Sequence, residues 1–358
     1  MGGELYFLPV RQKQDPSSIA KGLKKLFDAS GTPGLFTKDD YIGVKTHFGE
    51  RGNTSFVSPL LVKAVIEKLL QMRTRPYLTE TSTLYRGRRA NAYDHLCLAQ
   101  EHGFGFDRMK VPIIMADGLY GDSETGIKVD GKHFKKVRIA ADIAKIQGLV
   151  ILSHLTGHMA TGFGCAIKNV GMGLASRRGK LKQHSVMSPE INAQKCTACG
   201  MCIEWCPQDT ITLENEKAYI HKENCIGCGE CLAVCKYGAV MFDWRRESST
   251  LQEMMAEHAA GVIKAVKEKV CFFNFLINVT RDCDCGNGGR NISRDIGILA
   301  GEDIVAVEKA TYDLFLKVNG KPIQEYTYPN VDPLIQVRHA EALGLGSQEY
   351  RMVELPSV

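Results

Sequence analysis

Cysteines carry most of the chemistry this sequence can do. Cys196, Cys199, Cys202 and Cys206 form the run C-x-x-C-x-x-C-x-x-x-C, and Cys225, Cys228, Cys231 and Cys235 repeat it 29 residues later. Three closely spaced thiolates on a tight loop reach three irons of one cubane, and the fourth iron takes its ligand from the other run. That rule assigns Cys196, Cys199, Cys202 and Cys235 to one cluster and Cys225, Cys228, Cys231 and Cys206 to a second. Gly200, Gly227 and Gly229 keep the loops close to the sulfurs, and Pro207 follows the first run. Structural zinc sites use paired C-x-x-C units and have no use for a third cysteine at the same step. The segment is therefore expected to hold two [4Fe-4S] clusters, to pass single electrons at low potential and to be oxygen-sensitive.

A second thiol feature lies in Asp282-Cys283-Asp284-Cys285. Thiols at i and i+2 share one face of a strand or reach one metal across a turn, and Gly286, Gly288 and Gly289 point to a turn. A third metal or cluster site there needs further ligands from Cys97, Cys165, Cys271 or a histidine. The other reading is a pair of free or redox-active thiols. Cys97 and Cys271 sit in apolar runs and read as core residues.

His154 and His158 stand four apart beside an expected strand end, and His47 follows another. Open α/β sheets bind ligands at the carboxyl ends of their parallel strands. These histidines, with Lys168, are therefore candidate proton donors or metal ligands, weighed against an ordinary hydrogen-bonded role. His184 is a weaker candidate. Residues 165–189 hold Lys168, Arg177, Arg178, Lys180 and Lys182 with no acid, and Gly162, Gly164, Gly171 and Gly173 lie in or just before that stretch. Glycines let a backbone approach an anion and cations add charge, which reads as a pocket for a phosphate or carboxylate. The alternative is a basic surface docking on the cysteine-rich segment or on an acidic electron donor. Neither a dinucleotide fingerprint nor a Walker loop is present.

The elements that must position these groups alternate in type. Residues 6–10, 41–46, 77–81, 111–115 and 149–153 read as strands. Asp15-Pro16 and Ser58-Pro59 open helices, and residues 90–101 read as another. Asp130-Gly131 marks a hairpin within 127–139. After the cysteines, Thr250-Leu251-Gln252-Glu253 reads as a capping box for a helix through Ala265, and residues 271–279 as a buried strand. A strand at 296–300 and a helix at 302–317 follow, and Asp332-Pro333 starts a last helix. The expected fold is α/β, a mostly parallel sheet with flanking helices, carrying an inserted two-cluster ferredoxin-like module of α+β type. Its parts are residues 1–187, the module 188–245, and 246–358. Separate N- and C-terminal domains are the alternative.

The 358 residues carry 45 Lys and Arg against 40 Asp and Glu, an excess of +5 that is too small to imply nucleic acid binding. Two oxidised clusters with their thiolates would bring the sum to about +1. No apolar stretch approaches the ~20 residues of a membrane span, and the first thirty residues lack a basic-then-apolar leader. A cytoplasmic protein is expected. Thirteen cysteines in such a chain point to metal rather than disulfides.

Several segments resemble the family called domain of unknown function 362, in its version with an inserted bacterial-type ferredoxin module. They are KTHFGERGNTSFVSP (45–59), HLTGHMATGFGCAIKNVGMG (154–173), RRGKLKQH (177–184), FLINVTRDCDC (275–285) and DIGILAGEDIVAVEKATYDL (295–314). The family usually has Gly where this chain has Cys165. The resemblance implies an α/β domain around a ferredoxin insert and supplies no reaction. A more distant similarity, to the nickel-pincer lactate racemases, runs through His154, Gly162, Gly164 and Lys168. The functional expectation is a redox enzyme whose clusters exchange electrons with a pocket for a small anionic substrate, served by a partner redox protein. The alternatives are a non-catalytic electron carrier and a metal carrier using Cys283 and Cys285.

Overall fold

Polar caps start the first helices, as their sequences require. The Asp15 carboxylate accepts the Ser18 N–H at the head of helix Pro16–Ala29, and the Ser58 hydroxyl accepts from Leu60 in helix Pro59–Gln71. The computed structural model describes residues 3–85, 87–184, 189–206, 208–225, 231, 234–241, 248–286 and 288–357. In chain order its strands begin with β1 (Gly3–Pro9), β2 (Tyr41–Lys45), β3 (Arg75–Glu80) and β4 (Ile113–Met115). β5 (Glu124–Lys128) and β6 (Lys136–Ala140) form the expected hairpin. β7 (Gly148–His158) and the short β8 (Gly162–Gly164) follow. The cysteine-rich segment contributes β9 (Glu190–Ile191), β10 (Ile211–Glu214), β11 (Lys217–Ile220) and β12 (Val240–Met241). β13 (Val270–Thr280), β14 (Gly297–Gly301) and β15 (Tyr350–Glu354) complete the set.

The main sheet runs β15-β1-β14-β13-β7-β2-β3-β4, with β8 added beside β7. β13, β7, β2, β3 and β4 are mutually parallel, β15 is parallel to β1, β14 runs against both its neighbours, and the short β8 runs against β7. Thus β7 and β13, on opposite sides of the cysteine-rich segment in sequence, are adjacent in space. Both are buried along nearly their whole length, which matches central strands covered on two faces. Their side chains alternate between two cores. Leu149, Ile151, Phe272 and Leu276 pack toward helices Ser248–Ala265 and Ile304–Asn319, while Val150, Leu152, Phe273 and Phe275 pack toward Pro16–Ala29 and Pro59–Gln71. Within the cysteine-rich segment β9 pairs with β12, bringing its two ends together, and β10 pairs with β11.

Three expectations need correction. Helix Ser248–Ala265 starts before Thr250, so the capping box lies inside it. The last helix begins at Ile335, after Asp332 accepts the Leu334 N–H. β8 and β15 were not foreseen, since three and five residues on a sheet edge carry little periodicity. Among the described residues no helix is long and apolar enough to cross a membrane.

One buried carboxyl positions the short helix that carries Lys168. Helix Ala166–Gly171 has no side-chain cap of its own. Glu308, from helix Ile304–Asn319, accepts the Ala166 N–H at 2.8 Å instead. Burial pushes the Glu308 carboxyl up to about 7 against these hydrogen bonds. A carboxyl whose folded pKa lies above its unfolded value holds its proton more tightly when folded, so it costs stability as pH rises between those values. Glu308→Gln is expected to be more stable than wild type by about 3 kcal/mol at pH ~8 and nearly equal to it at pH ~4. Urea denaturation at the two pH values measures this, and a difference independent of pH would contradict it.

Candidate functional site

The parallel strands end around one cavity of about 540 Å³. Lys45 and Glu80 are the last residues of β2 and β3, His154 and His158 lie in the second half of β7, and the loop 282–286 follows β13. All of them line it. The general rule for open α/β sheets is followed.

The wall is organised by an irregularity between the two central strands. β7 and β13 pair residue for residue as far as Phe275 with His154, and then the register shifts so that Thr280 faces Thr156. The extra residues of β13 free the carbonyls of Ile277 and Asn278 from the ladder. His154 Nε2 donates to both, at 2.9 and 3.2 Å, and its Nδ1 donates to Asp284 Oδ2 at 2.8 Å. Burial opposes a charge on this ring, but the Asp284 carboxylate and the carbonyls raise its pKa. His154 is therefore a buried imidazolium paired with a buried carboxylate. With both nitrogens committed it can neither ligate a metal nor hand a proton to a ligand, so its role is to position Asp284.

Asp284 is held on its other oxygen by the Ser55 hydroxyl at 2.5 Å. Asn53 Nδ2 donates to the carbonyls of Asp284 and Gly286 at 3.2 and 2.8 Å, and the Tyr85 hydroxyl donates to the Cys285 carbonyl at 3.2 Å. Gly157 lets β7 run under this loop: a Cβ there would lie 2.1 Å from the Arg281 carbonyl oxygen. The Asp284 side chain thus binds inward while Cys283 and Cys285, one residue to either side, line the cavity half-buried.

Lys168 Nζ donates to Cys283 Sγ at 3.2 Å, and the Cys285 backbone N–H donates to the same sulfur at 3.3 Å. Hydrogen bonding from the Cys285 thiol, and then the Lys168 ammonium, hold Cys283 well below an ordinary thiol despite burial. Burial would lower Lys168, but the two sulfurs override it and raise its pKa. Cys285 is raised by its bond to Cys283 and by burial. The pair is polarised into one thiolate and one thiol.

The remaining cations have partners. Buried Lys45 binds Glu80 and donates to Asn169 Oδ1 at 2.7 Å. Arg89 donates to Glu50 at 3.1 Å and to the Tyr85 hydroxyl. Lys180 lines the cavity but is spent on Thr81 and the Ser82 carbonyl, and burial lowers it to about 8. His47 Nδ1 accepts the Gly49 N–H at 2.9 Å and its Nε2 lies 2.7 Å from the Arg89 guanidinium, and burial with Arg89 nearby keeps its pKa well below the usual value. His158 Nδ1 accepts the Ala160 N–H at 3.2 Å, and burial lowers its pKa too, leaving a neutral ring that carries its proton on Nε2.

So His47, His154, His158, Lys168, Lys180, Gly164, Gly173, Cys283 and Cys285 share one cavity. Other members of the expected anion cradle do not. Gly162 packs against Pro333, and a Cβ on Gly171 would lie 2.0 Å from the Met255 carbonyl oxygen, so these glycines permit close packing rather than anion approach. Arg177 reaches outward to the Tyr120 carbonyl. Cys271 lies in the core beneath helix Pro16–Ala29 and Cys97 is half-buried elsewhere, whereas Cys165 is on the cavity wall with its thiol bonded to the Ser153 carbonyl at 3.8 Å. Among the described residues no group of three or more His, Cys, Asp or Glu is placed to hold a metal ion. Sequence reasoning did not single out Glu80, Arg89, Asp284 and the Asn53–Ser55 clamp. Glu80 is the last residue of β3, whereas the others lie in the loops that follow β2, β3 and β13 and carry no local signal.

In the cysteine-rich segment, Cys196, Cys199, Cys202 and Cys235 line one small cavity. Backbone N–H groups of Ala218 and Ala239 point at the sulfurs of Cys196 and Cys235 at 3.4 and 3.2 Å, and Thr210 does the same for Cys206 at 3.4 Å. Cys225 and Cys231 are described, whereas Cys228, Gly227, Gly229 and Pro207 lie outside the described residues, as do the expected boundaries near 187 and 245.

Breaking a buried ion pair from one side leaves an uncompensated charge. Asp284→Asn is accordingly expected to cost about 3–5 kcal/mol in urea denaturation, more than Ser55→Ala, which removes a hydrogen bond to the charged carboxylate worth about 1.5–3 kcal/mol.

A comparison with curated proteins finds no match. Among solved structures the chain is similar to a protein of Thermotoga maritima, at 12% identity and TM-score 0.45, over 86% of this chain and 60% of that one. It is also similar to the lactate racemase apoprotein of Thermoanaerobacterium thermosaccharolyticum, at 14% identity and TM-score 0.43, over 89% and 56%. The chain spans about 60% or less of the length of these two proteins. The family model described as Domain of unknown function (DUF362) matches residues 42–313, well over half of the sequence and including every segment of the cavity wall except Tyr328, so the chain belongs to that family.

Proposed function

We propose that this protein is an iron–sulfur redox enzyme. In this reading residues 188–245 are an inserted ferredoxin-like module whose two [4Fe-4S] clusters exchange electrons with the cavity at the strand ends. The observation that carries it is the rooting of the module. His184, which ends the helix before it, and Leu251, in the first turn of the helix after it, both line the cavity. The small cavity joining Cys235 to Cys196, Cys199 and Cys202 supports the crossed ligand set that the two runs require. N–H groups aimed at cysteine sulfurs are the contacts that tune such clusters. When bound, the clusters would supply single electrons at low potential, taken from or given to a partner redox protein.

The chain's own residues make the cavity suited to a small anion. Arg89 and His47 both present N–H groups at their contact, because a neutral imidazole with an N–H bonded to Nδ1 carries its own proton on Nε2. A ligand carboxylate or phosphate oxygen that draws Arg89 toward itself would relieve that mismatch. His158 offers a further neutral donor, and Met172, Met255 and Leu152 add apolar wall.

Anaerobically purified protein is expected to contain about eight iron and eight acid-labile sulfide per chain, with electron paramagnetic resonance signals of two reduced cubanes. Cys235→Ser should bring iron down toward about four. Stoichiometric zinc without sulfide would overturn the reading.

A further inference from the structure

The paired thiols of loop 282–286 are not needed by either cluster. Cys283 and Cys285 stand half-buried on the wall of a cavity that a small molecule can enter. Asp284 between them is pinned by His154 and Ser55, so the two sulfurs stand on either side of an anchored residue. Cys283 Sγ receives the Lys168 ammonium at 3.2 Å and the Cys285 N–H at 3.3 Å. Among the described residues no third ligand joins them to form a metal site. A third cysteine on the cavity wall, Cys165, is buried and kept protonated by that burial.

We propose that Cys283 and Cys285 are a dithiol–disulfide couple that reduces a small disulfide bearing an anionic group, with Lys168 positioning the attacking sulfur. This deepens the redox reading above and rests on it only for the source of electrons. The Cys283 thiolate attacks one sulfur of the substrate. The substrate S–S bond breaks, a mixed disulfide forms, and the first half leaves with the proton of Cys285. The Cys285 thiolate then attacks Cys283 Sγ, which closes the protein disulfide and expels the second half as a thiolate. The substrate has gained two electrons and the protein has lost two. Return to the starting state takes two electrons and one proton, delivered in two steps by a low-potential one-electron donor. The attacking group must be a thiolate, and the hydrogen bond from Cys285 and the Lys168 ammonium both favour that form of Cys283.

The test uses anaerobically purified holoprotein equilibrated with mixtures of oxidised and reduced glutathione, then trapped with a maleimide. Trypsin cuts after Arg281 and Arg290 and releases residues 282–290, which contain both cysteines and no others. The peptide is expected to pass in one two-electron step from doubly alkylated to unalkylated and lighter by two hydrogens. Cys285→Ser should stop at a glutathione adduct on Cys283. Lys168→Met should slow alkylation of Cys283 at neutral pH by about tenfold and shift its pH profile upward. Double alkylation at every glutathione ratio, or a bound metal that shields both thiols, would overturn the couple. Eight irons with an inert pair would sink this proposal and leave the cluster reading standing. A reversible disulfide in protein without iron would do the reverse.

Discussion

The site depends on one buried ion pair, His154 with Asp284. An imidazolium and a carboxylate out of water are tolerated only when their remaining hydrogen-bonding capacity is met. Here the requirement reaches into three elements. The bulge in β13 must leave the Ile277 and Asn278 carbonyls off the ladder, Ser55 must reach the second carboxylate oxygen, and Gly157 must let β7 approach the loop. These constraints set the backbone of residues 282–286, and the position of two thiols follows from it.

Charge in the cavity is arranged in pairs. Lys45 faces Glu80, Arg89 faces Glu50, and His154 faces Asp284. Lys168 has a sulfur where these three have a carboxylate, and Lys180 is held by Thr81 and the Ser82 carbonyl. A carboxylate partner is inert, whereas a thiolate is a nucleophile and can be oxidised. The chemistry of the cavity is therefore concentrated at the one cation paired with cysteine. The helix that presents that cation is held by Glu308, a group 142 residues further along the chain that is not on the cavity wall.

The cysteine-rich segment meets this arrangement at its roots. It leaves the main sheet after β7 and returns before β13, and those two strands are neighbours. An insertion between adjacent parallel strands adds length to a crossover without disturbing the sheet. The short β9–β12 pair closes the segment on itself. The same geometry brings both of its anchoring helices to the cavity.

Much of this was legible in the residues. Strand–helix alternation, the Asp15 and Ser58 caps and the Asp130-Gly131 hairpin are local signals, because each reports contacts made within a few residues. The repeated cysteine run is local in the same sense, as are the signals that marked His47, His154 and His158 at strand ends, Lys168 in a basic glycine-rich stretch, and Cys283 and Cys285 by their spacing. What the sequence could not decide was which of them meet, and with what partner. Whether a histidine titrates, ligates or merely anchors depends on what faces its two nitrogens, and for His154 those groups lie more than a hundred residues away. The glycines at 162 and 171 looked like an anion cradle because a glycine shows only that a backbone comes close, not what it comes close to. Only the folding of distant segments onto one another turned Lys168 and Cys283 into a pair.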